Sequence, residues 1–341
     1  MKLLVTGGAG FIGSNFIRHL LSARPDVQVV NFDKLTYAGN PESLGDLAEH
    51  MRYRFIRGDI ADPGAVAELF AIGFDAVVNF AAETHVDRSI EDASPFLRTN
   101  VGGVMCLLEA ARKTRLPRFV HISTDEVYGS APAGVSFTEE ALLDPRSPYA
   151  ASKASADHFV GAYANTYGLS AIILRCTNNY GPFQFPEKLI PLMIANGQEE
   201  KPLPIYGDGL QERDWLFVED YCRAIAVVLE KGRTGEVYNV SAGAPQSNLH
   251  VVRTILKHLD KPESLMQYVK DRPGHDRRYA LDSCKIQREL GWKPLVCFED
   301  GIRRTIDWYR SNTSWLEHAR SGEYRNYYER HYTNRVETFS R

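Results

Sequence analysis

Residues 3–13 read Leu3-Leu4-Val5-Thr6-Gly7-Gly8-Ala9-Gly10-Phe11-Ile12-Gly13, which predicts a strand, a glycine-rich turn and the start of a helix. Glycine at positions 7, 10 and 13 lets the backbone turn tightly, approach a ligand closely and pack the helix against the strand. A helix that begins at such a turn presents free N–H groups and the positive end of its dipole, which suit phosphate groups. The stretch therefore predicts the dinucleotide-binding turn of a doubly wound α/β fold.

Two acids further along support this interpretation. Asp33 follows Gly13 by about twenty residues and is expected to end the second strand, where a carboxylate accepts hydrogen bonds from ribose hydroxyls. The same carboxylate repels a 2′-phosphate, so Asp33 favours NAD over NADP as the cofactor. Asp59 is expected either to contact the adenine or to cap a helix before Pro63, and the sequence does not decide between the two.

The first half of the chain alternates short β-rich runs with helical patterns, which is typical of a parallel sheet covered on both faces. After Arg175 the pattern is interrupted by turn clusters and by prolines at 182, 186, 191, 202 and 204. The predicted strands are 3–6, 27–32, 53–57, 76–80, 118–123, 170–175 and 237–240. The predicted helices are 12–23, 65–70, 100–113, 149–167, 218–229, 248–259, 284–290 and 298–309.

These elements predict a Rossmann-type doubly wound parallel sheet with a smaller C-terminal α/β substrate domain. Residues 1–176 and about 215–247 are expected to form the NAD-binding domain. A second domain, formed by residues from about 177 to 214 and from 248 to 312, is expected to bind the nucleotide-sugar substrate. Residues 313–341 are expected to form a C-terminal tail.

Composition excludes several classes of protein. The 341 residues are 44% hydrophobic and 24% charged with a formal net charge of −3, which argues against a nucleic-acid or membrane-surface role. No apolar run approaches the roughly 18 residues of a membrane helix. Five scattered cysteines indicate reduced thiols and a cytoplasmic location. Because the Cys and His residues show no ligand spacing, no metal site is expected.

Two motifs carry reactive side chains. Ser123-Thr124-Asp125-Glu126-Val127-Tyr128-Gly129 places adjacent acids after a predicted buried strand, where charge needs a partner or a ligand. Tyr149 and Lys153 lie at i and i+4 on one helix face, and the ammonium is expected to lower the pKa of the phenol. Together these groups predict an acid, a base and an activated phenol suited to oxidation and elimination.

The chain resembles the extended short-chain dehydrogenase/reductases and, among them, the nucleotide-sugar 4,6-dehydratases of the dTDP-glucose type. The resemblance covers residues 2 to about 309. It is carried by many motifs in a fixed order, among them Thr6–Gly13, Thr36–Asn40, Ala81–Ser89, Ser123–Gly129, Arg175–Pro182, Phe185–Pro191, Tyr206–Gly209, Arg213–Trp215 and Asp271–Asp276.

The resemblance implies a lyase mechanism that uses and regenerates NAD. Tyr149, assisted by Thr124 and Lys153, takes the C4 hydroxyl proton of dTDP-glucose as the sugar is oxidised at C4. Glu126 then removes the C5 proton, and protonated Asp125 donates to the departing C6 hydroxyl. Return of hydride to C6 and reprotonation of C5 give a 4-keto-6-deoxy sugar. Adjacent acids in a dry pocket resist being charged together, which agrees with one neutral and one ionised carboxyl.

The resemblance also implies the residues that hold the two ligands. The cofactor residues are Gly7, Gly10, Phe11, Ile12, Gly13, Asp33, Lys34, Leu35, Thr36, Gly39, Asp59, Ile60, Phe80, Ala81, Ala82, Thr99, Tyr149, Lys153 and Asn179. The substrate residues are Thr84, His85, Thr124, Asn178, Lys188, Leu189, Pro204, Ile205, Tyr206, Arg213, Asn248, Arg272 and His275. In contrast, His121 lies inside a predicted buried strand and is expected to be an ordinary core histidine.

Several alternatives stay open. A UDP-sugar 4-epimerase or decarboxylase shares the glycine turn and the Tyr149/Lys153 pair, but needs no acid and base beside the C5–C6 bond. The same dehydration could act on another nucleotide sugar such as UDP-glucose, and residues 204–206 do not settle this. An NAD-binding regulator without activity is disfavoured because Tyr149, Lys153, Asp125 and Glu126 are all present.

The resemblance finally implies a homodimer packed through the helices predicted at 100–113 and 149–167. Alanines at 150, 151, 154 and 156 are expected to permit close approach of the partner's helices.

Overall fold

The computed structural model describes residues 1–321. Its strands, in chain order, are Lys2–Thr6 (β1), Gln28–Asp33 (β2), Tyr53–Arg57 (β3), Ala76–Asn79 (β4), Phe119–Thr124 (β5), Ala171–Cys176 (β6), Asn178–Tyr180 (β7), Leu203–Tyr206 (β8), Glu212–Phe217 (β9), Val237–Val240 (β10), Pro245–Ser247 (β11) and Met266–Val269 (β12). Its α-helices are Phe11–Ala23 (α1), Pro63–Phe70 (α2), Val86–Glu91 (α3), Ser94–Phe96 (α4), Val104–Thr114 (α5), Pro148–Tyr167 (α6), Leu189–Gln198 (α7), Val218–Lys231 (α8), Asn248–Leu259 (α9), Cys284–Leu290 (α10), Phe298–Ser311 (α11) and Thr313–Ala319 (α12). Short 3₁₀ turns lie at Pro41–Leu47, Asp125–Tyr128 and Glu263–Leu265, and a π-helix at Leu97–Gly103.

A seven-stranded parallel sheet with the order β10-β6-β5-β4-β1-β2-β3 confirms the predicted fold class. The strands β4, β5 and β6 are buried along their whole length because helices cover both faces of the sheet. On β1, Leu3 and Val5 join the core shared with α1 and α8, whereas Leu4 joins the core shared with α5 and α6. This alternation follows from the two-residue period of a strand.

The strand order reverses between β1 and β4, and this reversal determines where a ligand can lie. Connections from β1 and β4 leave the sheet in opposite directions, which opens a crevice at the carboxyl ends of the strands. Thr6 at the end of β1 pairs with Asn79 at the end of β4, and Thr124 at the end of β5 pairs with Cys176. The glycine turn and the Asp125-Glu126 pair therefore open into the same crevice.

A second apolar core lies beside the sheet. It combines α7, α9, α11 and α12 with side chains of β8 and β9, and its largest buried aromatic residues include Tyr180, Phe217 and Tyr309. The three-stranded sheet β11-β9-β7 and the parallel pair β12-β8 lie in this part of the chain. The division into domains with the boundaries given above remains a prediction.

The sequence located most elements of the large sheet to within a residue or two. Most of the unpredicted elements lie in the second half, namely β7, β8, β9, β11, β12 and α7, and α3 and α4 in the first half were also not predicted. Strands of three or four residues carry too little periodicity to recognise. Pro191 lies in the first turn of α7, where a missing N–H does not break a helical hydrogen bond, so this proline does not interrupt a helix.

The helix predicted at 100–113 also needs correction. The structure has a π-helix over Leu97–Gly103 that leads directly into α5, so the helical segment begins earlier than predicted. Residues 313–319 of the predicted tail form α12, and residues 322–341 lie outside the described residues. No helix in residues 1–321 is both long and apolar enough to span a bilayer.

Candidate active site

One cavity runs from the glycine turn to the ends of β5 and β6. It gathers most of the predicted cofactor residues and all of the predicted catalytic residues. Its lining includes Gly7, Gly10, Phe11, Ile12, Gly13, Asp33, Lys34, Thr36, Gly39, Asp59, Ile60, Phe80, Ala81, Ala82, Thr84, Thr99, Thr124, Asp125, Glu126, Tyr149, Lys153, Asn178, Asn179 and Lys188.

The glycine turn has the shape that a pyrophosphate requires. A Cβ on Gly7, whose φ is +71°, would lie 2.5 Å from the backbone nitrogen of Ala81, and a Cβ on Gly13 would lie 2.5 Å from the carbonyl oxygen of Gly7. Side chains at either position would overlap backbone, so both positions need glycine. The N-terminus of α1 follows this turn, and Gly10 at its cap carries no capping side chain. Free N–H groups therefore face the cavity, as an anion site requires.

Asp33 lies at the far side of this turn, as the last residue of β2. Its carboxylate accepts hydrogen bonds from the backbone nitrogens of Ala9 (2.9 Å) and Leu35 (2.8 Å). Burial raises the pKa of this carboxyl, whereas the two N–H donors act in the opposite direction. These bonds hold the carboxylate at the cavity wall, and its remaining lone pairs can accept from a ribose.

The helix-cap alternative for Asp59 is wrong. Asp62 caps α2, because its Oδ1 accepts from the backbone nitrogens of Gly64 and Ala65. Asp59 instead lines the cavity, where Oδ2 lies 3.0 Å from Lys34 Nζ and 2.7 Å from Arg98 Nη2.

The acid pair lies in a 3₁₀ turn directly after β5. The Thr124 hydroxyl accepts from the backbone nitrogen of Glu126 (3.3 Å) and donates to Asp125 Oδ1 (3.2 Å). Asp125 Oδ2 is buried and has no hydrogen-bond partner in residues 1–321. An unpartnered buried carboxyl oxygen at a cavity wall is expected to bind a ligand group.

The two acids differ in their electrostatic surroundings. Burial and the neighbouring Glu126 charge raise the pKa of Asp125 to about 8, with Arg213 opposing the shift. Burial also raises the pKa of Glu126, but three cations, Arg272, Arg213 and Lys188, oppose this shift. Asp125 is therefore neutral near pH 7, whereas Glu126 has the stronger stabilisation of its carboxylate.

Tyr149 occupies the first turn of α6, and several contacts fix its position. Ser147 caps the helix by accepting from the Ala150 nitrogen (3.1 Å), and Pro148 occupies the first helical position. The Tyr149 nitrogen donates to the Ser89 hydroxyl at 3.2 Å. The ring packs edge-on against Phe96 with centroids 6.3 Å apart.

The prediction that Lys153 lowers the pKa of Tyr149 is wrong for the protein without bound ligands. Burial and then the Glu126 charge raise the pKa of Tyr149 well above its usual value, although a hydrogen bond with Thr124 lowers it. The Lys153 ammonium is directed to the Ile122 carbonyl oxygen at 2.7 Å and toward His121 Nε2 at 3.5 Å. Burial lowers the pKa of Lys153 to about 8.

Cationic side chains lie next to the acid pair. Lys188 donates to the Thr84 carbonyl oxygen at 3.0 Å. Arg213 is buried, donates to the carbonyl oxygens of Glu212 and Asp276, and stacks over the Tyr279 ring at 4.1 Å. Because Arg213 is buried, it does not form a surface salt bridge. Arg272 lies 3.6 Å from Asp87, and its Nε is buried without a hydrogen-bond partner among residues 1–321.

Some predicted residues do not line the cavity that holds the catalytic groups. These are Leu35, His85, Leu189, Pro204, Ile205, Tyr206, Arg213, Asn248, Arg272 and His275. Among them, Arg213 and Arg272 still act electrostatically on Glu126. Others have structural contacts: His85 caps α3 by accepting from the Arg88 nitrogen, and His275 Nδ1 lies 2.6 Å from Asp271.

The sequence missed several lining residues, including Glu83, Cys176, Gln184 and Glu187. Glu187 is buried and accepts from the Tyr37 hydroxyl at 3.3 Å. Its position inside the Phe185–Pro191 motif was the available signal, because an acid beside Lys188 in an apolar segment needs a buried partner.

Comparison with known proteins agrees with this geometry. A family model described as GDP-mannose 4,6 dehydratase matches residues 4–305. The dTDP-glucose 4,6-dehydratase of Salmonella typhimurium is 51% identical, covering 98% of this chain and 100% of that protein.

Solved structures give the same result. DesIV, a dTDP-glucose 4,6-dehydratase of Streptomyces venezuelae with NAD and TYD bound, is 51% identical with a TM-score of 0.91, covering 94% of this chain and 100% of that one. The UDP-glucose 4-epimerase of Thermus thermophilus, in complex with NAD, is 33% identical with a TM-score of 0.85, covering 92% and 100%. The chain is thus more similar to dehydratases than to this epimerase.

Proposed function

Because the chain belongs to the dTDP-glucose 4,6-dehydratase family, we propose that its cavity converts dTDP-glucose to the 4-keto-6-deoxy sugar with loss of water. The observation that carries this proposal is the pair Asp125 and Glu126. Asp125 is buried and Glu126 is half-buried at one cavity wall. The pKa of Asp125 is raised to about 8, whereas three cations oppose the rise in the pKa of Glu126. A 4-epimerase has no use for such a pair.

The residues around the glycine turn fit NAD. Backbone N–H groups at the start of α1 would hold the pyrophosphate, Asp33 would accept from the adenosine ribose, and Asp59 lies where the adenine is expected. NAD⁺, when bound, accepts a hydride from the sugar and later returns it. The Asp33 carboxylate disfavours a 2′-phosphate at the same position.

Tyr149 takes the proton of the C4 hydroxyl, with the Thr124 hydroxyl bonded to the same oxygen. Tyr149 and Thr124 line the same cavity, and Thr124 lowers the pKa of Tyr149, so one sugar hydroxyl can contact both side chains. The phenol carries its proton in the unliganded protein, and the phenolate must therefore form when the site is filled. Lys153, one helical turn along the same face, supplies the cation that favours it.

Asp125 and Glu126 carry out the elimination. Glu126 removes the C5 proton, which the C4 ketone has made acidic, and the Arg272, Arg213 and Lys188 charges keep it ionised. Asp125 donates its proton to the C6 hydroxyl, which leaves as water. The free Asp125 Oδ2 is the oxygen available for that contact.

The nucleotide diphosphate is assigned to the cations beside the acid pair. Lys188, Arg213 and Arg272 all act electrostatically on Glu126, and Arg272 Nε has no partner among the described residues. Arginine is suited to paired contacts with phosphate oxygens. Asn178, with a buried side-chain oxygen lacking a partner in residues 1–321, lies at the junction with the sugar.

The function is tested by incubating purified holoprotein with dTDP-glucose and, in parallel, UDP-glucose. Alkali-induced absorbance of the keto sugar reports the product. Product from dTDP-glucose without added reductant is expected, and the UDP-glucose arm measures nucleotide preference. If neither sugar gave a product, the dehydratase assignment would be overturned. Formation of the C4 epimer would instead indicate a 4-epimerase.

Activity should fall as pH rises through about 8. Asp125 must be protonated to act as acid, and Lys153 must be charged to favour the phenolate, and the pKa of each is about 8. Protonated Asp125 and charged Lys153 both exist below their pKa, so both forms are lost as the pH rises through about 8. These two groups contribute a slope of −2 to the logarithm of kcat/KM between pH 8 and 10, and ionisation of Tyr149, whose pKa lies well above its usual value, reduces the expected slope toward −1. A profile that stays flat above pH 9 would contradict this assignment.

We further infer a homodimer through the segment Leu97–Gly103, α5 and α6. Leu97 (64% exposed), Met105 (37%) and Tyr167 (55%) place apolar surface there. The predicted role of the alanines is wrong in part, because Ala150, Ala154 and Ala156 are buried within the chain and Ala151 alone of the four is exposed. Light scattering should give twice the chain mass of 38.4 kDa. Leu97→Glu with Met105→Glu should yield the monomer, and a monomeric parent would refute the interface.

The free thiols support a reducing compartment. Cys106, Cys176, Cys222, Cys284 and Cys297 form no disulfide. We therefore place the enzyme in the cytoplasm.

A further inference from the structure

One buried acid behind the active site has no role in the steps described so far. Asp157 follows Lys153 by four residues on α6, just as Lys153 follows Tyr149. At this spacing the three side chains lie on one face of the helix. All three are buried, with Asp157 3% exposed and Lys153 4% exposed.

One oxygen of Asp157 has a strong partner and the other does not. Oδ2 accepts from Arg175 Nε on β6 at 2.8 Å. Oδ1 is buried and has no hydrogen-bond partner in the described part of the chain. Its nearest charged or polar neighbour on β5 is His121, whose Nε2 lies 3.7 Å away. The same Nε2 lies 3.5 Å from Lys153 Nζ, so the carboxylate, the imidazole and the ammonium form one cluster.

His121 belongs to a chain of hydrogen bonds that reaches the glycine turn. The Thr6 hydroxyl donates to Asn79 Oδ1 at 2.6 Å, and Asn79 Nδ2 donates to His121 Nδ1 at 3.1 Å. The imidazole proton is thereby assigned to Nε2, which faces Asp157. Burial and the Lys153 and Arg175 charges lower the pKa of His121 well below its usual value, so the ring is neutral.

Arg175 keeps the carboxylate in place from the other side. Its Nη1 donates to the Tyr128 hydroxyl at 2.7 Å, and the guanidinium lies 4.8 Å from the Tyr128 ring centroid. The Tyr128 hydroxyl donates in turn to Asn239 Oδ1 at 3.0 Å. Asp157 is thus held between a neutral imidazole and a fixed guanidinium, at a set distance from Lys153.

The buried ammonium of Lys153 needs a negatively charged group nearby. Burial removes the hydration of its ammonium, and the Ile122 carbonyl oxygen is its short contact. The groups that face it are Asp157 on its own helix, His121 on β5, Cys176 on β6 and Tyr149 one turn before. Of these, Asp157 is the one that carries a full negative charge, since the Cys176 thiol has a pKa of about 12.

We propose that Asp157 is a positioning residue for the reaction: its carboxylate, held by Arg175 and lying beside His121, keeps the Lys153 ammonium charged and in place behind Tyr149. His121, expected from the sequence to be an ordinary core histidine, is part of this device. The inference rests on the proposed function, because it concerns the oxidation step that Tyr149 and Lys153 carry out.

A purely structural role makes a different prediction. R175Q is the reference variant, because loss of the Arg175 charge by itself raises the pKa of Lys153. If Asp157 served only to neutralise buried Arg175, adding D157N to R175Q would leave Lys153 unchanged. If Asp157 acts on Lys153, adding D157N to R175Q must lower the pKa of Lys153. The variant D157N/R175Q separates the two cases, and it avoids the unpaired buried guanidinium that could prevent D157N alone from folding.

The direct measurement is a pH titration of the Lys153 side chain by NMR in protein labelled with ¹³C at the lysine ε carbons, with the signal assigned by Lys153→Arg. Relative to R175Q, D157N/R175Q should lower the Lys153 pKa by at least one unit. The exposed pair Asp300 and Arg303 provides a matched control, since D300N/R303Q also removes one acid and one arginine. That control should leave the titration unchanged.

The second measurement follows C4 oxidation in holoenzyme that also carries D125N, so that the Asp125 titration is absent. Relative to R175Q in the same background, D157N/R175Q should shift the alkaline limb of the oxidation rate down by at least one pH unit. The rate at pH 9 should fall about 10-fold, as a one-unit shift from a pKa of about 8 implies.

The outcomes are distinguishable. If the pKa of Lys153 is the same in a folded D157N/R175Q variant as in R175Q, the positioning role is overturned. This conclusion does not depend on which substrate the enzyme converts. Absence of dehydratase activity in the parent overturns the proposed function, while the NMR titration still reports on Asp157 and Lys153. A lowered pKa with an unmoved oxidation profile also contradicts the proposal, because Lys153 would then not limit the step.

Discussion

Replacing Asp125 with asparagine should reduce the overall conversion of dTDP-glucose about 10²- to 10⁴-fold while leaving C4 oxidation largely intact. Asparagine keeps the shape of the side chain and still accepts from the Thr124 hydroxyl, but it has no acidic proton for the C6 hydroxyl. Water loss therefore becomes the slow step. Reduced-cofactor absorbance should accumulate on mixing with substrate, and the keto-sugar signal should develop slowly.

The control for this variant is Asp144→Asn. Asp144 lies in the connection that follows the acid pair, and its carboxylate is 67% exposed. It should behave as the parent enzyme. Wild-type dehydration by Asp125→Asn would show that another group protonates the leaving hydroxyl, and loss of the oxidation signal would show that Asp125 acts earlier.

Replacing Tyr149 with phenylalanine should abolish both signals, with a loss of about 10²- to 10⁴-fold in C4 oxidation itself. The ring keeps its packing against Phe96, and the helix keeps its cap at Ser147. What is lost is the hydroxyl that takes the C4 proton. Because elimination needs the C4 ketone, water loss cannot proceed when oxidation is blocked.

Tyr167→Phe, at the exposed end of the same helix, is the matched control and should retain full activity. Rapid-mixing absorbance and product assays on the two variants then separate the steps. Asp125→Asn should show reduced cofactor without product, and Tyr149→Phe should show neither. Equal accumulation of reduced cofactor in both variants would remove Tyr149 from the oxidation step.

Local patterns were enough to predict the sheet and the cofactor turn. The strands of the large sheet alternate with amphipathic helices over the first half of the chain, and their periodicity depends only on which residues must be buried. The glycine turn could be predicted because Gly7 and Gly13 have no room for a Cβ, so both positions require glycine. This steric restriction arises within one βαβ unit. Short strands such as β7 and β11 have no such local signal, since long-range pairing with β9 forms them.

The reactive residues were also visible in the sequence, but their electrostatic states were not. Asp125, Glu126, Tyr149 and Lys153 could be named from their motifs. Which acid is neutral depends on Arg272, Arg213 and Lys188, and each of these comes from a distant part of the chain. The expected effect of Lys153 on Tyr149 failed for the same reason, because burial of the phenol outweighs a neighbour one turn away.

The sequence by itself determined the fold class, the cofactor turn and the identities of the acid, the base and the phenol, because each of these depends on residues close together in the chain. Only the tertiary structure decided that Asp125 keeps its proton, that Lys153 is directed to Ile122 and His121, and that Asp157 stands behind it. Charge states in a buried site depend on desolvation and on the distances between groups from separate strands and helices, and these distances exist only once the chain has folded.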